Sequence, residues 1–298
     1  MRRRTLMAAA AGAGMASIVI RGASAAGKTI VVGGKDFTEQ LILAEMTVQL
    51  LKAHGLQVTS HTGMGSTVLH EALLHGEIDA YWGYTGTALI VFDKVKKHMS
   101  PQQTYETVKT LAAKKGVVWL NPSRANDTYC LVMNKAEAEK LKIDSISDLA
   151  KVIRGGKKLT LATDAEFAAR SDGLKPLEKA YDFEFGRANL KLMSPGLTYE
   201  ALHEHRVDVA MAFATDGQIK EFDFVVLKDD KNYFPSYAIT PVVLKKTLDA
   251  NPKLAGLLNG LSARLDDDTM AALNAGVGVE KKSVQAVSRA FLKSQNLI

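Results

Sequence analysis

From Thr29 to Leu227 the chain alternates short β-branched runs with stretches of helical period, and this alternation limits the available folds more than any other feature. Thr29–Val32 reads as a strand. Thr38–His54 reads as a helix, with Leu41, Ala44, Val48 and Leu51 along one stripe. Gln57–Ser60 is a second strand, Ser66–His75 a second helix and Ile78–Trp82 a third strand. Val117–Leu120, Leu131–Met133, Leu159–Ala162, Val207–Phe213 and Phe224–Leu227 are further strand candidates. Strands separated by helices pair mainly in parallel, in sheets covered by helices. From about Pro252 onward the pattern is three helices with no strand.

The alternation also contains a weak repeat. Glu71–Asp79 (EALLHGEID) lies on Glu200–Asp208 (EALHEHRVD) at a constant offset of 129 residues, which carries Tyr84 onto Phe213. Both stretches read as helix, turn, strand, and then an aromatic just past the strand end. In open α/β sheets ligands bind beyond the carboxyl ends of strands. Two similar lobes would therefore set these two rings across a cleft. The competing reading is that such a pattern recurs by chance in α/β proteins.

The N-terminus reads as an address rather than as structure. Arg2, Arg3 and Arg4 precede an uncharged Ala/Gly/Met-rich run from Thr5 to Ile20, and Ala23-Ser24-Ala25 supplies a small-x-small cleavage site. Residues 1–25 are thus expected to be an export signal, cleaved near Ala25. Arg3-Arg4-Thr5-Leu6-Met7 resembles the twin-arginine type, with ordinary secretion the alternative. Removing those residues takes away four arginines and no acid, so the formal charge falls from +6 to +2. No basic run remains to suggest nucleic acid. The lone Cys130 can form no disulfide within the chain, lies far from the cleavage site and sits in an apolar run, which suits a buried structural thiol. Export without a lipid-anchor cysteine suggests a periplasmic protein.

Three turns carry more Gly and Thr than packing needs. In Gly33-Gly34-Lys35-Asp36-Phe37-Thr38-Glu39, Asp36 and Glu39 fit a capping box. The glycines would let the backbone approach a ligand, and Lys35 at a helix start would suit a carboxylate. Tyr84-Thr85-Gly86-Thr87 opens another helix, where free amides and the Thr87 hydroxyl suit an anion. Gly63-Met64-Gly65-Ser66-Thr67 lacks the remaining residues of a dinucleotide or P-loop fingerprint. The histidines show no metal spacing, His203-Glu204-His205 pointing to different helix faces, and no Gly-x-Ser-x-Gly elbow occurs. No cofactor, metal or catalytic set is expected.

Six segments in order resemble the osmoprotectant-binding proteins of ABC importers, which bind glycine betaine, choline, carnitine or related compounds. They are Val32–Gln40, Gly76–Asp79 leading to Tyr84–Thr87, Asn126–Tyr129, Arg170–Gly173, Thr215–Gly217, and Asp229–Lys231 leading to Phe234–Tyr237. The resemblance spans the mature chain and implies an α/β, two-lobed periplasmic binding-protein fold of type II. That fold has two mixed sheets flanked by helices and two inter-lobe crossings. Residues 26–127 with 238–298 would form one lobe and 128–237 the other.

The resemblance also implies a site. Tyr84, Tyr129, Phe213 and Tyr237 match a four-ring cage for a trimethylammonium group, whose diffuse charge and apolar methyls suit ring faces at about 0.5–2 kcal/mol per contact. Lys35, Thr87 and Arg170 match the holders of a ligand carboxylate, and Asp127 an acid beside the cage. Phe213 stands where the family usually has Tyr, and Trp82-Gly83 where it usually has Pro-Glu. Both departures leave bulkier betaines open, among them carnitine, proline betaine or a histidine-derived betaine. The expected partners are the small ligand and ABC permease subunits, with the protein itself a monomer. An amino-acid binder, a receptor-docking sensor and an enzyme using Cys130 or Asp127 are the alternatives.

Overall fold

In the computed structural model residues 28–298 are described, so the expected export signal lies outside the described residues. The strands are β1 (Ile30–Lys35), β2 (Val58–Met64), β3 (Ala80–Tyr84), β4 (Val117–Trp119), β5 (Tyr129–Asn134), β6 (Leu161–Thr163), β7 (Leu190–Leu192), β8 (Val209–Phe213), β9 (Phe224–Val226) and β10 (Ile239–Leu244). They form two five-stranded sheets, ordered β2-β1-β3-β10-β4 and β7-β6-β8-β5-β9. In each sheet four of the five strands run in the same direction. The remaining strand, β10 or β5, runs antiparallel to both neighbours. This is the mixed, helix-flanked architecture expected for a type II binding protein.

The sequence repeat has a physical origin. At the offset of 129, β3 falls on β8 and the helix Ser66–His75 on the helix Pro195–His203. Asp79 Oδ2 accepts from the Val31 amide at 2.9 Å, and Asp208 Oδ2 accepts from the Thr160 amide at 2.7 Å. These two bonds are equivalent under the same offset. Each aspartate ties the end of a helix-turn unit to the strand that began the repeat. It satisfies a backbone donor that the sheet leaves free.

Two strands were not legible in the sequence. β10 carries Pro241, which ordinarily argues against a central strand. Here β4 ends at Trp119, and beyond it Leu120 donates its amide to the Pro241 carbonyl at 2.9 Å. The missing proline N–H therefore falls where the neighbouring strand has run out. β7 is a three-residue edge strand, half-buried to exposed, without an apolar pattern to reveal it.

The chain leaves the first sheet after β4 and returns to it between β9 and β10. The two crossings run side by side: Asn126 and Ala238 form an antiparallel bridge, and the Ile239 amide donates to the Ala125 carbonyl. Tyr129 begins the strand after the first crossing, and Tyr237 ends the second. The C-terminal helices Leu254–Ser262, Asp267–Gly278 and Val284–Ser294 pack on the helix Thr38–Ala53 through buried Leu254, Leu258, Leu261, Met270 and Leu292. Each such side chain contributes roughly 1.5–3 kcal/mol on burial. Cys130 is buried in β5, and burial pushes its thiol pKa up, away from nucleophilic chemistry.

Candidate binding site

The carboxyl ends of β1, β6, β7 and β8 meet around a cleft of about 480 Å³. Its lining includes Lys35, Phe37, Tyr129, Asp164, Glu166 and Phe213. Strand pairing sets the rings. Tyr84 stands opposite Ile239, and Phe213 stands opposite Tyr129, so equivalent registers in the two sheets bring aromatic residues to the same edge. Ring centroids of Tyr129 and Phe213 are 5.1 Å apart, and Tyr237 meets Tyr129 edge-on at 5.7 Å. Three of the four expected rings thus form one cluster.

Tyr84 joins it through a residue that sequence reasoning had not assigned to the cage. Phe37 stacks on Phe213 at 4.8 Å and lies 6.2 Å from Tyr84. Phe167 and Phe234 close the far side of Tyr129, at 4.8 and 6.1 Å. Both lie in or near segments that carried the family resemblance, but nothing in the spacing distinguished them from core residues. Gly86 is needed for Tyr237 to sit where it does, because a Cβ there would lie 2.8 Å from two of its ring carbons.

Two of the chain's own cations lie over these rings. Lys35 Nζ is 4.6 Å from the Tyr84 centroid and 5.6 Å from that of Phe37, and the Arg170 guanidinium carbon is 5.2 Å from that of Tyr129. The faces therefore already solvate positive charge. Burial lowers the Lys35 pKa to about 8, with Arg170 adding repulsion, against the pull of Glu166, Asp127 and Asp172.

Arg170 is buried and bridges the sheets. Its Nε and Nη2 donate to the two oxygens of Asp172 at 2.7 and 2.6 Å, Nη2 also donates to Thr87 Oγ1 at 3.1 Å, and Nη1 donates to Glu166 Oε1 at 2.9 Å. Thr87 thus presents its acceptor face to a guanidinium. Its hydroxyl proton remains free to donate. Asp172 also accepts from the Tyr237 hydroxyl at 2.8 Å, fixing that ring.

The expected capping box does not form. The N-cap of Thr38–Ala53 is Phe37, with no side-chain cap, and Asp36 is exposed. Glu39 turns inward instead. It accepts from the Tyr84 hydroxyl at 2.7 Å and from the Thr215 hydroxyl at 2.6 Å, while Asp127 lies 2.7 Å from that same hydroxyl. One hydroxyl has one proton, so the second carboxyl must supply its own. Burial raises the pKa of both acids, and for Asp127 the neighbouring Glu39 charge adds to it. Asp127 is therefore half of a proton-sharing pair with Glu39. Two further expectations are corrected. Gly33 and Gly34 face Leu69, Ile78, Thr62 and Ala44 rather than open space. Trp82 points into the core, where its Nε1 donates to Thr47, and so does not reshape the cleft.

Residues 28–294 match the family described as the substrate binding domain of ABC-type glycine betaine transport system. The chain belongs to that family. It is 42% identical over 277 residues to a glycine-betaine-binding protein of Pseudomonas aeruginosa, across 91% of this chain and 89% of the relative. It is 34% identical to the ergothioneine transport permease/ergothioneine binding protein EgtU of Helicobacter pylori, across 91% of this chain but 48% of that longer protein. A crystal structure of a glycine betaine/carnitine/choline ABC transporter protein superposes with a TM-score of 0.72 at 30% identity, across 90% of this chain and 99% of the other. The protein is accordingly an extracytoplasmic substrate-binding component of an ABC transporter.

Proposed function

We propose that this substrate-binding protein captures a quaternary-ammonium compound of the glycine betaine, choline or carnitine class and delivers it to its permease without altering it. Tyr84, Tyr129, Phe213 and Tyr237 take the methylated cation, and Phe37 joins them. Lys35, Arg170 and Thr87 take a ligand carboxylate where there is one, and Asp127, paired with Glu39 through the Thr215 hydroxyl, lies beside the cage. Residues 26–127 with 238–298 form one lobe and 128–237 the other. The paired crossings at Asn126 and Ala238 act as the hinge. The protein is exported to the periplasm through its first 25 residues and works as a monomer.

One observation carries this reading. Aromatic faces contributed by both sheets converge on one cleft and already hold the cations of Lys35 and Arg170 against them. Such faces suit a charge that has no N–H to donate, at about 0.5–2 kcal/mol per desolvated contact. The relatives named for glycine betaine and ergothioneine, both of them zwitterions with a trimethylammonium group and a carboxylate, agree with it. Calorimetric titration with glycine betaine, choline, carnitine, ergothioneine and unmethylated amino acids tests the reading. Binding confined to primary amines would refute it, and chemical alteration of a bound ligand would refute the non-catalytic role.

A further inference from the structure

Glu166 was not among the residues expected in the site, yet it lines the cleft and bonds to residues on both sides of it. It lies on the short helix Ala165–Ala169 of the second sheet's side, four residues before Arg170. Its Oε1 accepts from Arg170 Nη1 at 2.9 Å. Its Oε2 accepts at 3.0 Å from the amide of Ser66, the first residue of a ten-residue helix on the other side of the cleft. That amide belongs to the positive end of the helix. Gly65, just before it, would carry a Cβ only 3.4 Å from the same carboxylate oxygen.

Counting donors on Arg170 shows what this position means. A guanidinium has five N–H bonds. The Nε proton and both Nη2 protons go to Asp172 and Thr87. Only Nη1 remains, and Glu166 holds one of its two protons. A second carboxylate approaching Arg170 must therefore share Nη1 with Glu166 or displace it, and like charges at that separation repel.

We propose that Glu166 is a specificity-determining residue: its carboxylate occupies the place on Arg170 and the Ser66 amide that a ligand carboxylate needs, so the site favours a quaternary amine without a carboxylate, such as choline, over a short betaine. The proposal rests on the reading of the cleft as a quaternary-ammonium site. Burial works against ionisation of Glu166. Lys35, the Ser66 hydrogen bonds and Arg170 nevertheless hold its pKa down at about 2, so the charge is present at any physiological pH.

The test compares glycine betaine and choline by calorimetry on the full mature protein, in wild type, Glu166→Gln and Glu166→Ala, with thermal melts to establish folding. Wild type is expected to bind choline more tightly than glycine betaine. Both variants should improve glycine betaine relative to choline at least tenfold, and Glu166→Gln, which keeps the shape, should not weaken glycine betaine. An unchanged ratio, or an equal loss for both ligands, would overturn the proposal and leave Glu166 as an inter-lobe contact alone. Failure of folded wild type to bind glycine betaine, choline, carnitine or ergothioneine would instead overturn the quaternary-ammonium reading, and this inference with it.

Discussion

Lys35 allows the anion side of the cleft to be separated from the cation side by titration. Its pKa falls from 10.5 to about 8, chiefly because burial penalises the ammonium. At about 1.4 kcal/mol per decade, that gap corresponds to roughly 3 kcal/mol. The sign follows from proton counting. Below pH 8 both folded and unfolded chains hold the proton, and the folded state bears the full cost. Between about pH 8 and 10.5 the unfolded chain keeps a proton that the folded chain has released, so stability rises with pH. Wild type should therefore gain roughly 3 kcal/mol over this interval relative to Lys35→Met, which has no charge to bury. Urea denaturation of both proteins at pH 7.5, 9 and 10.5 measures the difference. Binding moves the opposite way. A ligand carboxylate needs the ammonium, so the Kd for glycine betaine should rise about tenfold per pH unit once Lys35 deprotonates, while that for choline stays nearly level. Parallel weakening of the two ligands, or a pH-independent stability difference between the proteins, would refute the assignment of Lys35 to the anion side.

Other perturbations address single parts of the site. Tyr129→Ala removes the ring that touches Phe167, Phe213 and Tyr237. It should cost about 3–5 kcal/mol in denaturant unfolding and weaken every quaternary ligand in titration. Gly86→Ala drives a methyl into the Tyr237 ring and Pro235. A loss of about 1–3 kcal/mol is expected, with weaker binding of betaines and choline alike. Asp216 has its pKa raised to about 7 by burial, so the folded chain keeps a proton that the unfolded chain loses from about pH 4. Stability should fall as pH rises from 4 to 7 and level off above, and Asp216→Asn should flatten that slope in melts across the range. Asp79→Ala removes the acceptor of the Val31 amide and the buried Thr247 hydroxyl. It should cost about 1–3 kcal/mol, more than Asp208→Ala, whose bonds are exposed.

Much of this molecule was legible in its sequence because the signals are local. A strand followed by a helix is written in the period of apolar residues. The Asp79 and Asp208 bonds each close a unit of fewer than 50 residues. The 129-residue offset therefore survives as a visible repeat, and it carries Tyr84 onto Phe213, two rings of the same cleft. The tertiary structure alone decided the partners of the charges. Glu39 looked like a capping residue three positions after Asp36, yet it pairs across 176 residues with Thr215. Glu166 reaches Ser66 across 100 residues and Arg170 reaches Thr87 across 83. A local pattern cannot rank such bonds, because a buried carboxylate goes wherever folding leaves donors unpaired, and the meeting of two separate sheets sets that place.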